Sequence, residues 1–258
     1  MISSPDTVTE VELREVRKAF RVNGRMVTAL DGVDLRAGKG ELVVLIGPSG
    51  CGKSTLLNII CGLMEPDSGE VLLDGKPIQD RTGLLGYMLQ KDLLLPWRTV
   101  MGNVILGPEI SGMNREAARE EALRLLPQFG LEGFEGSYPA TLSGGMRQRA
   151  ALLRTFLCRR QTMLLDEPFG ALDALTRRQL QQWLLQVWSG FRQTIIFVTH
   201  DVDEAVYLAD RVYVMTARPG RIRLELDISL RRPRHPDMIT SSEFGALKAE
   251  LLWALDLR

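Results

Sequence analysis

Short apolar runs separated by turn residues occupy the chain from position 11 to position 78. Two dipeptides in this region, Asn23-Gly24 and Asp74-Gly75, favour two-residue hairpin turns, because both of their residues tolerate positive φ angles. The pattern therefore predicts antiparallel strands on either side of each turn.

Three continuous apolar runs have a different character. The first, at 42–46, is followed by glycine-rich sequence and a helical pattern, as in a βα unit whose strand is buried on both faces. The other two lie at 163–165 and 195–198, and between them runs an amphipathic helix carrying Leu180, Trp183, Leu184 and Val187. This alternation predicts a parallel sheet.

Helical patterns fill the middle of the chain and return near its end. Asn114 is placed to cap a helix over 115–126, which Pro127 ends, and a second helix is predicted over 144–157. After position 220 the sequence becomes rich in arginine and proline before a last predicted helix at 244–255.

Charge and composition limit the possible functions. The 258 residues include 32 Lys and Arg against 32 Asp and Glu, so the net charge is zero, which argues against a basic nucleic-acid-binding protein. No apolar run approaches the roughly 18 residues of a spanning helix, and the first six residues do not resemble a secretory signal. Because Cys51, Cys61 and Cys158 form neither an even disulfide set nor a metal-binding spacing, we expect a reducing cytosol.

Residues 47–55 match the phosphate-loop pattern GxxxxGK[ST] and lie between an apolar strand and a helical pattern, as the mechanism of this loop requires. Backbone N–H groups of such a loop turn toward phosphates, its lysine reaches the β and γ phosphates, and its serine hydroxyl can bind Mg²⁺. The alternative is a glycine-rich turn with an incidental lysine. The candidate nucleotide-binding residues are Gly47, Pro48, Ser49, Gly50, Cys51, Gly52, Lys53, Ser54 and Thr55.

An acidic pair, Asp166 and Glu167, follows the apolar run that begins at position 163. Asp166 is a candidate Mg²⁺ ligand that would act through water. Because side chains alternate along an extended chain, we expect Glu167 to point the other way, toward an attacking water that it would activate as a base. Alone, such a pair is a common surface feature, and only the phosphate loop favours a catalytic role.

The sequence LSGGMRQ at 142–148 narrows the choice among nucleotide enzymes. Ser143, Gly144 and Gly145 open a predicted helix, where a hydroxyl and backbone N–H groups can face a γ-phosphate, although a helix cap with flexible glycines is the alternative. Taken with the phosphate loop and the acidic pair, the motif resembles the signature of the ATP-binding subunits of ATP-binding cassette (ABC) transporters. The resemblance extends over about residues 11–221.

This resemblance implies roles for four further residues. Gln90 corresponds to the Q-loop glutamine, which senses Mg²⁺ and the γ-phosphate, and His200 to the switch histidine that contacts the γ-phosphate. Asp173, in the motif at 171–173, corresponds to the D-loop, and Phe20 to the aromatic residue under the adenine. Without the resemblance, Gln90 is a plain surface residue, His200 a structural residue beside a helix start and Phe20 a core residue.

Three stretches, at 90–100, 166–173 and 217–221, resemble the nitrate, sulfonate and taurine importer group within the ABC family. The Leu-Pro-Trp sequence at 95–97 has the most weight in this placement. The chain departs from the group's pattern at Leu89, at residues 153–156 and at Arg160. These positions affect packing rather than the named catalytic groups.

The family implies an α/β fold of the P-loop NTPase type, with a RecA-like parallel sheet core, an antiparallel β subdomain and an inserted helical subdomain. We expect the ATPase domain at 8–225, with its nucleotide-binding core at about 8–90 and 160–225 and the helical signature subdomain at about 91–159. Residues 226–258 are expected to form a C-terminal extension.

The resemblance also implies a transport cycle. MgATP would lie between the phosphate loop of one copy and the signature of a second copy paired head to tail, so that closure on ATP and opening after hydrolysis give a two-state element. This element would drive separate permease subunits, and indirectly a solute-binding protein, from the cytoplasmic face of the inner membrane. No nucleic-acid partner is expected.

Three other functions stay open at this point. A soluble ABC ATPase of translation or DNA repair typically has two cassettes or a long coiled coil, and this sequence shows one signature and no heptads. A P-loop kinase would leave the LSGGM sequence and His200 without a role. An ABC efflux ATPase would share every motif named above.

Residues 93–97, Leu-Leu-Leu-Pro-Trp, are candidates for a contact with the permease. Five large apolar or proline residues are unexpected on a loop unless something buries them. The three leucines fit either the domain's own core or an interface. Trp97 is the preferred interface residue, because tryptophan is enriched among the residues that dominate binding energy.

Overall fold

The computed structural model describes residues 9–170 and 172–256, without the side chain of Phe191. Residue 8, where the predicted ATPase domain begins, and residues 257–258, where the predicted C-terminal extension ends, lie outside the described residues. Ala171 of the predicted D-loop motif lies outside them as well.

The described strands are β1 (Thr9–Val22), β2 (Arg25–Gly38), β3 (Leu42–Ile46), β4 (Ser68–Leu73), β5 (Lys76–Pro77), β6 (Gly86–Met88), β7 (Thr162–Asp166), β8 (Thr194–Thr199), β9 (Arg211–Met215) and β10 (Ile222–Asp227). The described α-helices are α1 (Lys53–Ile60), α2 (Val100–Val104), α3 (Leu106–Ile110), α4 (Arg115–Leu125), α5 (Gly144–Leu157), α6 (Ala174–Phe191), α7 (Val202–Leu208) and α8 (Ser242–Ala254). None of these helices is both long and apolar enough to cross a membrane.

An antiparallel sheet in the order β2-β1-β4-β5 contains both predicted hairpins. Val22 pairs with Arg25 across the first turn, where Asn23 and Gly24 have φ angles of 49° and 79°. Two consecutive positive φ angles are the geometry that these residue types favour, so the prediction of hairpins from the Asn-Gly and Asp-Gly dipeptides is confirmed.

A second sheet has the order β10-β9-β3-β8-β7-β6, and it is parallel except for β10, which runs antiparallel to β9. The sequence predicted β3, β7 and β8 but neither β9 nor the two strands at the edges of the sheet. β6 has only three residues, and β10 alternates between half-buried and exposed positions that include Arg223 and Glu225. Neither edge strand therefore has a continuous apolar run to identify it.

The six-stranded sheet separates two hydrophobic clusters, and β3 contributes to both. Leu42, Val44 and Ile46 pack in the larger cluster, which contains residues of α2 and of α4 to α8. Val43 and Leu45 pack on the other face, with α1 and the antiparallel sheet. All five residues are buried, as predicted for a strand covered on both faces. The carboxyl end of β3, where the phosphate loop begins, is thereby fixed from both sides.

Of the four helices between β6 and β7, α4 and α5 begin as the sequence indicates, whereas α2 and α3 were not predicted. Asn114 caps α4 by accepting from the backbone N–H groups of Glu116 and Ala117, and Ser143 caps α5 by accepting from that of Met146. Helices α2, α3 and α4 all contact α5. The segment after β10 is not a loose extension, because Phe244 and Leu251 of α8 are buried in the larger cluster.

Candidate nucleotide-binding site

The phosphate loop connects β3 to α1 through a backbone that needs glycine. Gly50 and Gly52 have φ angles of 75° and 112°, and Gly52 is the N-cap of α1. A Cβ atom on Gly52 would lie 2.7 Å from Cδ2 of Leu30, which would have to shift, and the left-handed backbone conformation itself disfavours a side chain here.

The Lys53 ammonium group lies inside this loop. Its Nζ donates to the carbonyl oxygens of Gly47 at 2.7 Å and Pro48 at 3.1 Å, and the residue is only 7% exposed. The third contact of Nζ is a weak one, to Sγ of Cys51 at 3.8 Å, which a phosphate oxygen entering the loop would readily replace.

A cavity of about 480 Å³ lies over the loop and is lined by half of the predicted residues. Its apolar end is formed by Phe20, Val22 and Val27 of the β1–β2 hairpin. The remaining lining residues are Ala29, Ser49, Gly50, Gly52, Lys53, Ser54, Thr55, Gln90, Glu167 and Arg218. One apolar wall beside a cationic, N–H-rich floor suits a ligand that carries a flat ring and phosphates.

Asp166 ends β7 beside the phosphate loop and is 3% exposed. Burial raises the pKa of its carboxyl group, and a hydrogen bond with the Ser54 side chain and the charge of Lys53 oppose that shift. The Ser54 hydroxyl and the Asp166 carboxylate are therefore neighbours. Together with the amide oxygen of Gln90 they offer the oxygen donors that Mg²⁺ prefers.

Glu167 makes contacts with two of the predicted residues. Its Oε2 accepts from Nε2 of Gln90 at 3.1 Å, and its Oε1 lies 3.5 Å from Nδ1 of His200. These three side chains follow β6, β7 and β8, at the carboxyl edge of the parallel sheet where open α/β sheets bind ligands. The expected strand alternation does not set the direction of Glu167, because β7 ends at Asp166 and Glu167 has a left-handed φ angle of 48°.

The signature residues and Asp173 do not reach this cavity. Ser143, Gly144 and Gly145 open α5, and Asp173 caps α6 by accepting from the N–H groups of Leu175 and Thr176. A hydrogen bond with the Thr176 side chain holds the pKa of Asp173 below its usual value. Within one chain, then, the structure brings together the phosphate loop, Gln90, Glu167 and Phe20 but leaves the signature apart.

Arg218 is a lining residue to which sequence reasoning gave no role. Its Nη2 donates to the carbonyl oxygen of Gly50 at 3.0 Å, and Gly220, two residues later, exchanges backbone hydrogen bonds with the segment at 29–31. This loop therefore connects the phosphate loop to β2. The available signal was the Arg-Pro-Gly sequence after an apolar run, but its position depends on β9 lying beside β3.

The apolar loop after Gln90 is divided between core and surface. Leu94 is buried, whereas Leu93 and Trp97 are exposed, Trp97 by 72%. Two arginines of α5 hold the loop: Arg147 pairs with Asp92 at 3.1 Å, and Arg154 donates to the carbonyl oxygens of Asp92 and Leu93 at 2.7 and 2.8 Å. The exposed tryptophan is thus carried on a firmly attached loop.

Comparison of sequences identifies relatives along almost the whole chain. An uncharacterized ABC transporter ATP-binding protein of Methanocaldococcus jannaschii is 46% identical over 251 residues, 95% of this chain and 94% of that protein. The taurine import ATP-binding protein TauB of Yersinia pestis is 45% identical over 205 residues, 79% of this chain and 80% of the relative. The aliphatic sulfonates import ATP-binding protein SsuB of Bacillus anthracis is 41% identical over 242 residues, 94% of each chain.

Comparison of structures gives the same family. A dimeric bacterial ABC transporter cassette matches 86% of this chain with all of its own, at 33% identity and a TM-score of 0.79. A dimeric, post-hydrolysis state of that cassette bound to ADP and Pi matches equally widely, with a TM-score of 0.78.

These similarities confirm the predicted fold class, and the sequence profile of the ABC transporter family matches residues 30–170. The predicted resemblance to ABC ATP-binding subunits is also confirmed, since the relatives carry that description over four fifths or more of their length. The chain is a member of the ABC transporter family and contains that family's ATP-hydrolysing cassette.

Proposed function

We propose that this chain is the ATP-hydrolysing subunit of an importer for a small solute such as taurine or another sulfonate, and that the cavity over the phosphate loop is its ATP site. The observation that carries the proposal is the convergence of Lys53, Gln90 and Glu167 on one cavity that also has an aromatic wall at Phe20. The relatives that import taurine and aliphatic sulfonates support the solute class.

Binding would use the loop and the hairpin together. The phosphates would lie on the N–H groups at the start of α1, with the Lys53 ammonium group turning from the loop carbonyls toward the β and γ phosphates. The adenine would lie against Phe20. Arg218 would hold the Gly50 carbonyl in place and add a second positive charge to the cavity.

The residues that would hold Mg²⁺ are Ser54, Asp166 and Gln90, with water completing the coordination. When bound, the ion would neutralise charge that develops on the phosphates. The buried Asp166 carboxylate suits this role, because burial disfavours its charged form until a cation arrives.

Hydrolysis would depend on Glu167. Its carboxylate would accept a proton from, or polarise, the water that attacks the γ-phosphate. Gln90 donates to one oxygen of the carboxylate and His200 lies 3.5 Å from the other, so acceptor positions remain for the attacking water. His200 is also free to turn toward the γ-phosphate, because its side chain is 62% exposed.

A second copy of the chain would complete the site. Ser143, Gly145 and Asp173 lie away from the cavity of their own chain, and Ser143 stands at the N-terminus of a 14-residue helix where an anion is stabilised. A head-to-tail dimer would place these groups on the ATP bound by the partner. The dimeric state of the similar cassettes supports this arrangement.

The transport partners are proposed from the relatives and from one exposed side chain. We infer that the subunit binds permease subunits at the cytoplasmic face of the membrane, with Trp97 in the contact, and that a solute-binding protein delivers the solute on the other side. Import is favoured over efflux because TauB and SsuB are described as import proteins.

The decisive experiment measures taurine uptake by cells that express the chain with its permease. Uptake that requires the wild-type chain and is lost with Glu167→Gln would support the proposal, and faster loss of preloaded taurine would instead indicate efflux. The purified chain is tested in parallel for phosphate release from ATP. Transfer of the phosphoryl group to an added metabolite would contradict the ATPase assignment of the site and favour a kinase.

A further inference from the structure

A groove of about 460 Å³ lies far from the phosphate loop in sequence, between α6 and the segment that precedes α8. Its polar lining includes three arginines and one histidine and, among the described residues that form it, no acidic side chain. Its apolar lining comprises Leu185, Trp188, Pro233 and Pro236. The groove therefore combines positive charge with a flat apolar wall.

Arg234 is the most confined of these cations, with 7% of its surface exposed. Its Nη2 donates to the carbonyl oxygen of Ala209 at 2.9 Å, but its Nε and Nη1 have no hydrogen-bond partner in the described part of the chain. Burial, with a smaller contribution from Arg232, lowers the pKa of Arg234 to about 10. Unpaired buried donors of a charged group are costly, and Nε and Nη1 have almost no accessible surface, so the side chain must shift for an acceptor in the groove to reach them.

Trp188 forms the wall between two other arginines. The guanidinium carbon of Arg232 lies 4.1 Å from its ring centroid and that of Arg192 lies 6.0 Å away, both within cation–π range. The indole Nε1 is buried and also lacks a partner among the described residues. Arg232 is paired with Asp210 at 2.7 Å, and the charges of Asp210 and Glu243 also act on Arg234, whereas Arg192 has no ion-pair partner among the described residues.

We propose that this groove binds a small organic oxyanion whose apolar part packs against Trp188 and the two prolines. A carboxylate, phosphate or sulfonate group matches the forked donors of arginine, and the groove has the volume of a small-molecule site. A purely structural role explains the bonds from Arg232 and Arg234 to the end of α7, but it leaves the free donors of Arg234 and the excess of positive charge unexplained.

The site would connect two parts of the cassette. The groove is built by α6, whose N-cap is Asp173, and by the segment that leads into α8. An anion bound there would hold the C-terminal segment against α6.

The test is a calorimetric titration of the full chain, saturated with MgADP so that the phosphate loop is occupied. Benzoate, phenyl phosphate and benzenesulfonate present the same ring with three different anionic groups, and benzyl alcohol is the neutral control. We expect binding of at least one anion at one site per chain and no binding of the alcohol. The anion that binds most tightly identifies the preferred head group.

Gln186→Glu places an acid in the groove at an exposed position of α6, and it should weaken anion binding about tenfold through repulsion. Gln79→Glu makes the same change of net charge at an exposed position outside the groove and should leave the affinity unchanged. Arg234→Lys keeps the charge but loses the fork, and it should also weaken binding if it folds. The proposal is overturned if no anion binds, or if Gln186→Glu binds as tightly as the wild type.

Discussion

The side-chain amide of Gln90 donates to Glu167 across 3.1 Å, and this hydrogen bond joins two different strand ends at the carboxyl edge of the parallel sheet. In addition, only two residues separate Gln90 from the apolar loop at 93–97 that ends in Trp97. The proposed catalytic carboxylate is therefore one hydrogen bond away from the segment that we propose to contact the permease.

Glu167→Gln should separate ATP binding from hydrolysis. The amide keeps the size of the side chain and can still accept from Gln90, but it is not a base, so we expect hydrolysis to fall by about 10²- to 10⁴-fold while ATP affinity is retained. Rates of phosphate release and equilibrium binding of ATP measure the two effects. The control is Glu132→Gln, an exposed acid away from the cavity, which should behave as the wild type.

The same variant should accumulate as a closed dimer with ATP, because hydrolysis no longer opens it. Light scattering at high protein concentration measures the mass, and adding Ser143→Ala to Glu167→Gln should return it to a monomer. A Glu167→Gln chain that stays monomeric with ATP would contradict the proposed composite site.

Lys53→Ala should weaken MgATP binding by about a hundredfold, since a charge-assisted hydrogen bond to the phosphates is lost. Its bonds to Gly47 and Pro48 are lost as well, so thermal unfolding must be measured beside the affinity. Lys76→Ala, at an exposed position of β5, is the matched control. Near-normal affinity in a folded Lys53→Ala chain would show that the phosphate loop is wrongly assigned.

Arg218→Ala should lower ATP affinity about tenfold, because a cation of the cavity and its bond to the Gly50 carbonyl are removed. We expect a smaller effect on the hydrolysis rate at saturating ATP, since Arg218 is not among the contacts of Glu167. Arg119→Ala on the exposed side of α4 is the control. An unchanged affinity would limit Arg218 to a structural role in its loop.

Trp97→Ala should leave the isolated subunit almost unchanged in ATP affinity and thermal stability, because the side chain is exposed and outside the nucleotide cavity. It should weaken co-purification with the permease and the stimulation of hydrolysis by the permease. Trp253→Ala removes a second tryptophan of nearly equal exposure, 69%, and should not affect assembly. If the two variants assemble equally well, Trp97 is not in the contact.

Glu204→Gln should change the pH dependence of stability. Burial raises the pKa of Glu204, so its charged form destabilises the folded chain above the folded pKa, and this cost disappears below the ordinary carboxyl pKa. The glutamine carries no charge, so we expect a higher free energy of unfolding than the wild type at pH 7 to 8, with the difference vanishing toward pH 4. Denaturant unfolding across this range checks the sign, and the exposed Glu116→Gln should show no such trend.

Local sequence predicted those features that local chemistry determines. The Asn23-Gly24 turn, the Asn114 cap and the bounds of α5 follow from backbone preferences within a few residues, and the structure has each of them. The phosphate loop was identified for the same reason, because its glycines serve a backbone conformation that few other sequences adopt.

Features that depend on sheet order could not be predicted in this way. The hydrogen bond from Arg218 to the Gly50 carbonyl oxygen exists because β9 lies beside β3, although the two residues are 168 positions apart in the sequence. The groove beside Trp188 likewise needs the C-terminal segment to return to α6. No pattern within either segment indicates that meeting.

Helix α5 joins the loop that we propose to contact the permease to the signature in a single rigid piece. Near the start of α5, Arg147 forms an ion pair with Asp92, and near the end of the helix Arg154 donates to the Asp92 carbonyl oxygen. The N-cap of the same helix is Ser143. Fourteen helical residues extend about 21 Å at about 1.5 Å per residue, so the helix is a stiff lever with the loop attached along its length. A displacement of Trp97 by the permease would therefore move Ser143 with the helix rather than deform the loop. The distance between the signature and the ATP on the partner chain would change as a result.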